Sequence, residues 1–414
     1  MADTKETGFG LNKKTKKDTV YTHTFTGLIP GDAAIAVEKV LEKMGLKFHE
    51  TVTLKKGYGG VTEIPFSRYR TPDGDIPIGT YVVEGFGEIT VDFDGYGAYR
   101  IPAIQLNAYL ASANKKELWN TFLDAVEEYA KEHSIFKGRA LIVEGAQDLL
   151  VPRRLNLDKP VELFMNAHVM KQIEETIYWP LQNRDLCIKN NIRTRRGALL
   201  EGYYGTGKSI ALYIAAQKAN AAGMSVLNVN AGAIGIGVEL GSMVAPVLLV
   251  VEDLDAGAHG DRDALNGLIN KLSSISSKTK EDYMIAASTN FIERIDPALL
   301  RPERIDSIIH VELPNRETAG AVLGYAAGNT AKINDAVSDA ITGITPAVIC
   351  EIGERAKINA IRSGRKTTSK ELLEYVEVMK HQINLAKPEL RQDSLGDQLA
   401  RNLSEVIRNG AGGL

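Results

Sequence analysis

Two hydrophobic textures divide the chain. Strand-like alternation at 20–26, 47–54, 80–85, 88–93 and 139–145 is interrupted by helical periodicity at 32–44 (Ile35, Val37, Val40, Leu41, Met44) and 116–133 (Leu118, Trp119, Phe122, Val126, Tyr129). This mixture predicts an α+β domain over residues 19–150. Its aromatic residues, among them Tyr58, Phe66, Tyr81, Phe86 and Tyr99, read as core and turn packing, and His23, His49 and His133 lack metal-ligand spacing. Residues 151–165, with Pro152, Arg153, Arg154 and Pro160, read as a linker.

Beyond the linker, helices alternate with apolar strands. The pattern predicts helices at 166–190, 208–222 and 264–276 and strands at 197–201, 225–229, 247–251, 283–288 and 307–312. Such alternation predicts a parallel sheet covered by helices. After Pro314 the pattern is almost wholly helical to about 385. The polar, Lys-rich start (1–18) predicts a disordered tail, and 387–414 a polar, glycine-ended one. The apolar stretch 231–251 is about long enough for the ~20 residues of a spanning helix. Gly232, Gly235, Gly237, Gly241 and Pro246 interrupt it, so it reads as a Gly-rich loop before a buried strand.

Composition narrows the classes further. The chain has 414 residues, 49 Lys+Arg against 52 Asp+Glu, a net charge of −3 and 44% apolar residues, as expected of a soluble globular protein. There is no basic surplus for a general nucleic-acid coat. Cys187 and Cys350 are isolated, which excludes a disulfide framework or a Cys-rich zinc site and suggests a reducing compartment. No apolar secretion segment follows the N-terminus, whose basic run is Lys13, Lys14, Lys16 and Lys17. A cytoplasmic protein without a membrane span is the expectation.

The chemistry concentrates in the second half. Gly202-Tyr203-Tyr204-Gly205-Thr206-Gly207-Lys208-Ser209 fits the phosphate-loop pattern, lies between a predicted strand and helix, and leads into Ile210. Its backbone N–H groups and the helix N-terminus would wrap the β-phosphate. Lys208 would reach the β- and γ-phosphates, and the Ser209 hydroxyl would ligate Mg²⁺. Downstream, the strand 247–251 runs into Glu252 and Asp253, acids that do not belong to an apolar core. Glu252 is assigned to the metal through water, and Asp253 to orienting or deprotonating the attacking water.

Two further motifs follow: Ala287-Ser288-Thr289-Asn290, and Ile295-Asp296-Pro297-Ala298-Leu299-Leu300-Arg301-Pro302-Glu303-Arg304-Ile305-Asp306. With these, residues 166–365 resemble the AAA+ ATPases of the AAA subfamily; the N-terminal domain carries no such resemblance. The resemblance implies an α/β P-loop NTPase parallel sheet (166–316) with a C-terminal helical lid (317–386), preceded by the separate α+β domain. It implies ATP and Mg²⁺ as the ligands of Gly202–Ile210, Asn290 as a polar sensor of the γ-phosphate or attacking water, and Arg301 and Arg304 as fingers reaching a neighbour's ATP. A homo-oligomeric ring, read as a hexamer, follows from those fingers.

The chain also departs from the family. Its acidic pair is Glu-Asp instead of Asp-Glu, which shortens the base by one methylene; the order resembles that of mitochondrial inner-membrane AAA proteins that move folded iron–sulfur subunits. Tyr203-Tyr204 stand where Pro-Pro is commoner, and Glu303 where a glycine is. Where peptide-threading relatives carry an aromatic before glycine, this chain has Ala233-Ile234-Gly235-Ile236-Gly237, so weak grip on a threaded peptide is expected. The leading expectation is an ATP-driven remodeller of a protein client held by the N-terminal domain. The rivals are a nucleic-acid-associated motor, disfavoured because residues 231–240 contain no Lys or Arg, and a slow-hydrolysing assembly scaffold.

Overall fold

A computed structural model describes residues 20–25, 28–57, 60–96, 101–110, 116–194, 196–255, 283–297, 299–301 and 304–379. The two predicted tails, the helix expected at 264–276, Ala298, Pro302 and Glu303 lie outside them.

The N-terminal unit is an antiparallel sheet with two helices. Its strands are β1 (Val20–Phe25), β2 (Phe48–Thr51), β5 (Ser67–Thr71), β6 (Gly74–Val83), β7 (Gly87–Tyr96) and β8 (Ile101–Leu110), in the order β1-β8-β7-β6-β2 with β5 on β6; β3 (Thr53–Gly57) and β4 (Gly60–Ile64) form a separate hairpin. The strand β8 was not expected from the sequence. Helix α1 (Pro30–Lys43) begins with proline at its first turn, where the missing N–H costs nothing, and buries Ala33, Val37, Val40 and Leu41. Helix α2 (Lys116–Glu132) buries Trp119, Phe122 and Val126 beside it.

The expected parallel sheet is present and larger than predicted. It runs β10-β9-β12-β13-β14-β11-β15, with β9 Ala140–Val143, β10 Arg153–Arg154, β11 Arg196–Gly202, β12 Ser225–Val229, β13 Val247–Val251, β14 Tyr283–Thr289 and β15 Ser307–Val311; all neighbours are parallel except the pair β9 and β10. The strand expected at 139–145 within the N-terminal domain pairs instead with β12, Val226 opposite Ala140 and Val229 opposite Val143. A boundary drawn at 150 passes between β9 and β10, which are hydrogen-bonded to each other.

Period-two alternation explains how the sheet is buried on both faces. Leu248 and Val250 pack with Leu200, Met284 and Leu212 of helix α6 (Lys208–Ala221), whereas Leu249 and Val251 join Leu199, Leu227 and Val229 in a core continuous with Phe136, Trp119, Leu41 and Phe25 of the N-terminal unit. The approach is close: a Cβ on Gly31 of α1 would lie 2.6 Å from the Leu150 carbonyl oxygen.

The segment read as a linker is pinned to the sheet's other side. The Gln217 amide donates to the carbonyls of Leu157 (2.7 Å) and Lys159 (3.1 Å), and Leu155, Leu157 and Leu163 pack on that core. The helix expected over 166–190 is broken into α3 (Ala167–Ile173), a π-helical turn (Glu174–Tyr178), α4 (Trp179–Gln182) and α5 (Arg184–Lys189). Pro180 cannot donate to the carbonyl one turn back, and the wider turn accommodates this.

The Gly-rich stretch at 231–240 is helical. Asn230 caps a 3₁₀ turn, Ala231–Ala233, by accepting from the Gly232 N–H at 3.0 Å, and helix α7 (Ile234–Met243) follows. Two of its glycines serve close packing: Cβ atoms on Gly237 and Gly241 would meet Val229 and the Tyr283 ring, each at 2.6 Å. Ile234 is 1% exposed, and Ile236 packs half-buried against the same core. The free aliphatic loop expected there is therefore replaced by a packed helix.

Helices α8 (Arg316–Ala327), α9 (Asp335–Ile341), α10 (Pro346–Ser363) and α11 (Ser369–Val378) form the lid around Val322, Leu323, Ile349, Ile352 and Leu372.

Candidate functional site

The phosphate loop links the buried strand β11 to α6, so its backbone is held at both ends. Gly202 (φ 150°), Gly205 (φ 74°) and Gly207 (φ 99°) adopt conformations that side chains rarely share. Space forbids a Cβ as well: one on Gly202 would lie 2.4 Å from the Val311 carbonyl oxygen, and one on Gly205 2.9 Å from Ala347 at the start of α10. Thr206 is buried and donates to the Tyr203 carbonyl at 2.8 Å, which braces the loop from within. Ser209 and Ile210, in the first turn of α6, are exposed.

Lys208 is 5% exposed, yet its ammonium is fully engaged. It donates to the carbonyls of Gly202 (2.8 Å) and Tyr203 (2.7 Å) and to Asn290 Oδ1 (2.8 Å), which accounts for the three protons it carries. Burial pushes its pKa down to about 8, and the carboxylates of Asp253, Asp255 and Glu201 act in the opposite sense.

Asn290, just after β14, faces both ways. While its oxygen accepts from Lys208, its Nδ2 donates to Asp253 Oδ1 at 2.7 Å. Asp253 follows β13 in the left-handed region (φ 47°), with its N–H donating to Ser288 Oγ at 3.3 Å. Asparagine and aspartate tolerate this conformation better than most residues, and such backbone geometry clusters at functional sites. Glu252, between β13 and Asp253, is half-buried. The tertiary structure thus joins Lys208, Asn290 and Asp253 at the carboxyl ends of neighbouring parallel strands, where open α/β sheets bind ligands.

Arg301 and Arg304 are elsewhere. A Cβ on Gly197 would lie 2.0 Å from the Arg304 carbonyl oxygen, so Arg304 sits at the start of β11, whereas the phosphate loop leaves its end. About 16 Å of strand separates the two at ~3.3 Å per residue. Arg301 is exposed and Arg304 half-buried.

Several neighbours of the site were not singled out from the sequence. Asp255 is buried beneath Asn290, accepting from the Thr289 hydroxyl at 2.6 Å and the Asn290 N–H at 3.2 Å. Tyr204 meets Phe291 edge-on at 5.9 Å, and the Arg294 guanidinium lies 3.8 Å from the Phe291 ring centre. From the supposed linker, Leu163 and Met165 approach within 3.4 and 3.5 Å of where a Gly207 Cβ would stand, and Phe164 packs on Tyr325 of the lid. The run Leu163-Phe164-Met165 was the available signal, three consecutive apolar residues in a stretch where the other apolar residues stand singly.

The residues fit a nucleoside triphosphate with its metal: a glycine-shaped loop, a buried cation, a hydroxyl at the helix start and two carboxylates just past the end of β13, one strand beyond β14. Residues 198–313 match the family described as ATPase family associated with various cellular activities (AAA). Curated relatives include proteins named proteasome-activating nucleotidase from Sulfurisphaera tokodaii, 30% identical over 53% of this chain and 62% of the relative, from Aeropyrum pernix, 28% identical over 58% and 65%, and from Methanoregula boonei, 29% identical over 40% and 43%. The chain therefore covers less than two thirds of each. The central module therefore carries an AAA ATPase domain, and that module has the P-loop NTPase fold.

Proposed function

We propose that this AAA ATPase couples hydrolysis of Mg²⁺-ATP to the remodelling or disassembly of a protein partner held by the N-terminal α+β domain (19–150), working as a cytoplasmic homo-oligomeric ring, read as a hexamer. The observation that carries the reading is the Lys208–Asn290–Asp253 chain of hydrogen bonds at the mouth of the phosphate loop. Gly202–Ile210 bind the nucleotide, with Lys208 exchanging its loop carbonyls for phosphate oxygens. Ser209 and Glu252 would hold Mg²⁺, which supplies neutralisation of phosphate charge. Asp253 accepts a proton from the attacking water, and Asn290 orients that water.

The distance of Arg301 and Arg304 from their own loop supports a role toward a neighbouring subunit. A protein client is supported by relatives named for activating a proteasome, itself a protein machine. No helix among the described residues is long and apolar enough to cross a membrane.

ATP turnover measured alone, with an unfolded protein and with single-stranded DNA tests the reading. Stimulation by unfolded protein is expected; stimulation by DNA alone would favour a nucleic-acid motor, and slow turnover indifferent to both an assembly scaffold. For the ring, Arg304→Ala is expected to spare nucleotide binding while cutting turnover by roughly 10³-fold. Mixing it with Lys208→Ala subunits should restore turnover, since each supplies what the other lacks; no rescue in rings shown to be mixed would make Arg304 structural.

A further inference from the structure

We infer that Asp255 is a positioning residue for ATP hydrolysis: by holding the Thr289 hydroxyl and the Asn290 N–H on one carboxylate oxygen, it fixes Asn290 where its amide can reach Lys208 and Asp253 together.

The geometry is specific. Asp255 is 5% exposed, and its Oδ1 accepts both bonds, at 2.6 Å from Thr289 Oγ1 and 3.2 Å from Asn290 N. Thr289 is itself fully buried, and its oxygen also accepts from the Phe291 N–H at 3.1 Å, so the backbone on both sides of Asn290 is tied to the Asp255–Thr289 pair. A buried carboxylate is costly to desolvate and persists where its bonds are made good. Those bonds fall on the residue whose side chain must bridge cation and base. Asn290 has only two free side-chain torsions, so a rotation of its backbone would carry Nδ2 away from Asp253 or Oδ1 away from Lys208. An apolar side chain at 255 would leave the Thr289 hydroxyl and the Asn290 N–H buried without their acceptor. Asp255 is not placed to touch nucleotide; it acts through Asn290, on the hydrolytic step more than on binding.

The inference rests on the ATPase reading, and its test keeps the two apart. In the full chain, Asp255→Ala is expected to lower kcat by about 10²-fold, the cost of a small misplacement at a reacting centre, while nucleotide affinity measured without turnover well below pH 8, where Lys208 keeps its proton without help from Asp255, is unchanged. Asp255→Asn, which retains an acceptor oxygen, should lose less. The decisive comparison is a double-mutant cycle: added to Asn290→Ala, Asp255→Ala should cause no further loss, because its effect travels through the group already removed. If Asp255→Ala does not fold, Thr289→Val with Asn290→Ala supplies the same cycle. Additive losses, or loss of affinity matching the loss of kcat, would overturn the inference alone. An unmodified chain with no ATP turnover would overturn the proposed function and this inference with it.

Discussion

Lys208 Nζ donates to Asn290 Oδ1 at 2.8 Å although the two residues lie 82 positions apart. The contact exists because β11, which delivers the phosphate loop, pairs directly with β14, which ends at Asn290, with Glu201 opposite Thr289. Strand register therefore fixes the distance between a cation and a side-chain amide, and the expected behaviour of the site follows from that arrangement.

Nucleotide affinity should depend on the charge of Lys208. With its pKa pushed down to about 8 by burial, the ammonium loses its proton as pH rises through that value, so affinity should fall in the alkaline range. Lys208→Arg, which stays charged there, should bind more weakly but without the fall, and Lys208→Ala should not bind. The stability effect has the opposite sign: above about 8 the unfolded chain still holds the proton that the folded chain has released, so this group's contribution to stability rises with pH until the ordinary lysine pKa of 10.5 is reached. Affinity titrations and thermal melts across this range check both.

Separating the acidic pair should separate two phenotypes. Asp253→Asn is expected to keep ATP bound while lowering turnover by roughly 10²–10⁴-fold, the usual contribution of a general base. Glu252→Gln should instead weaken Mg²⁺-dependent nucleotide binding. Reversed outcomes in binding and single-turnover assays would mean that the pair is assigned in the wrong register.

Gly197→Ala should disturb the arginine segment from a distance. The new methyl would stand 2.0 Å from the Arg304 carbonyl oxygen and 2.9 Å from Ile305 Cα, both backbone atoms that cannot swing aside. Overpacking of this kind costs about 1–3 kcal/mol. Thermal unfolding should show the loss, and a melting temperature equal to that of the unmodified chain would contradict the packing described.

A chain beginning at residue 151 should not be an independent ATPase module. It lacks β9, the partner of β12, and leaves Leu227, Val229 and the α7 core without Leu141, Val143 and Phe136. Poor solubility or a much lowered melting temperature relative to the full chain is expected; equal stability would show that the two cores are independent.

Ile234→Ala should destabilise the fold by about 2–5 kcal/mol, as deletions of buried Ile side chains do. Ile236→Ala, at a half-buried position on the same helix, should cost less. Chemical denaturation distinguishes this from a free pore loop, in which neither change would affect stability.

The sequence by itself determined the central module and its chemical inventory. Apolar runs as at 247–251 have few alternatives to a buried strand, and a glycine loop followed by Lys208 and Ser209 is constrained by the need for backbone to approach phosphate closely; both are local requirements written in consecutive residues. Non-local consequences were not legible. The run at 139–145 reads equally well as a strand of either sheet, and only the pairing of Ala140–Val143 with β12 decides which. Glycines at 232, 235, 237 and 241 suggest a loop because their helix propensity is low, but Val229 and Tyr283 occupy the space that the missing Cβ atoms of Gly237 and Gly241 leave, and tertiary packing overrides propensity. Asp255 reads as one more acid after a strand until the fold closes Thr289 and Asn290 over it. Pairing, close approach and the partners of buried polar groups depend on residues tens of positions apart, so only the tertiary structure could decide them.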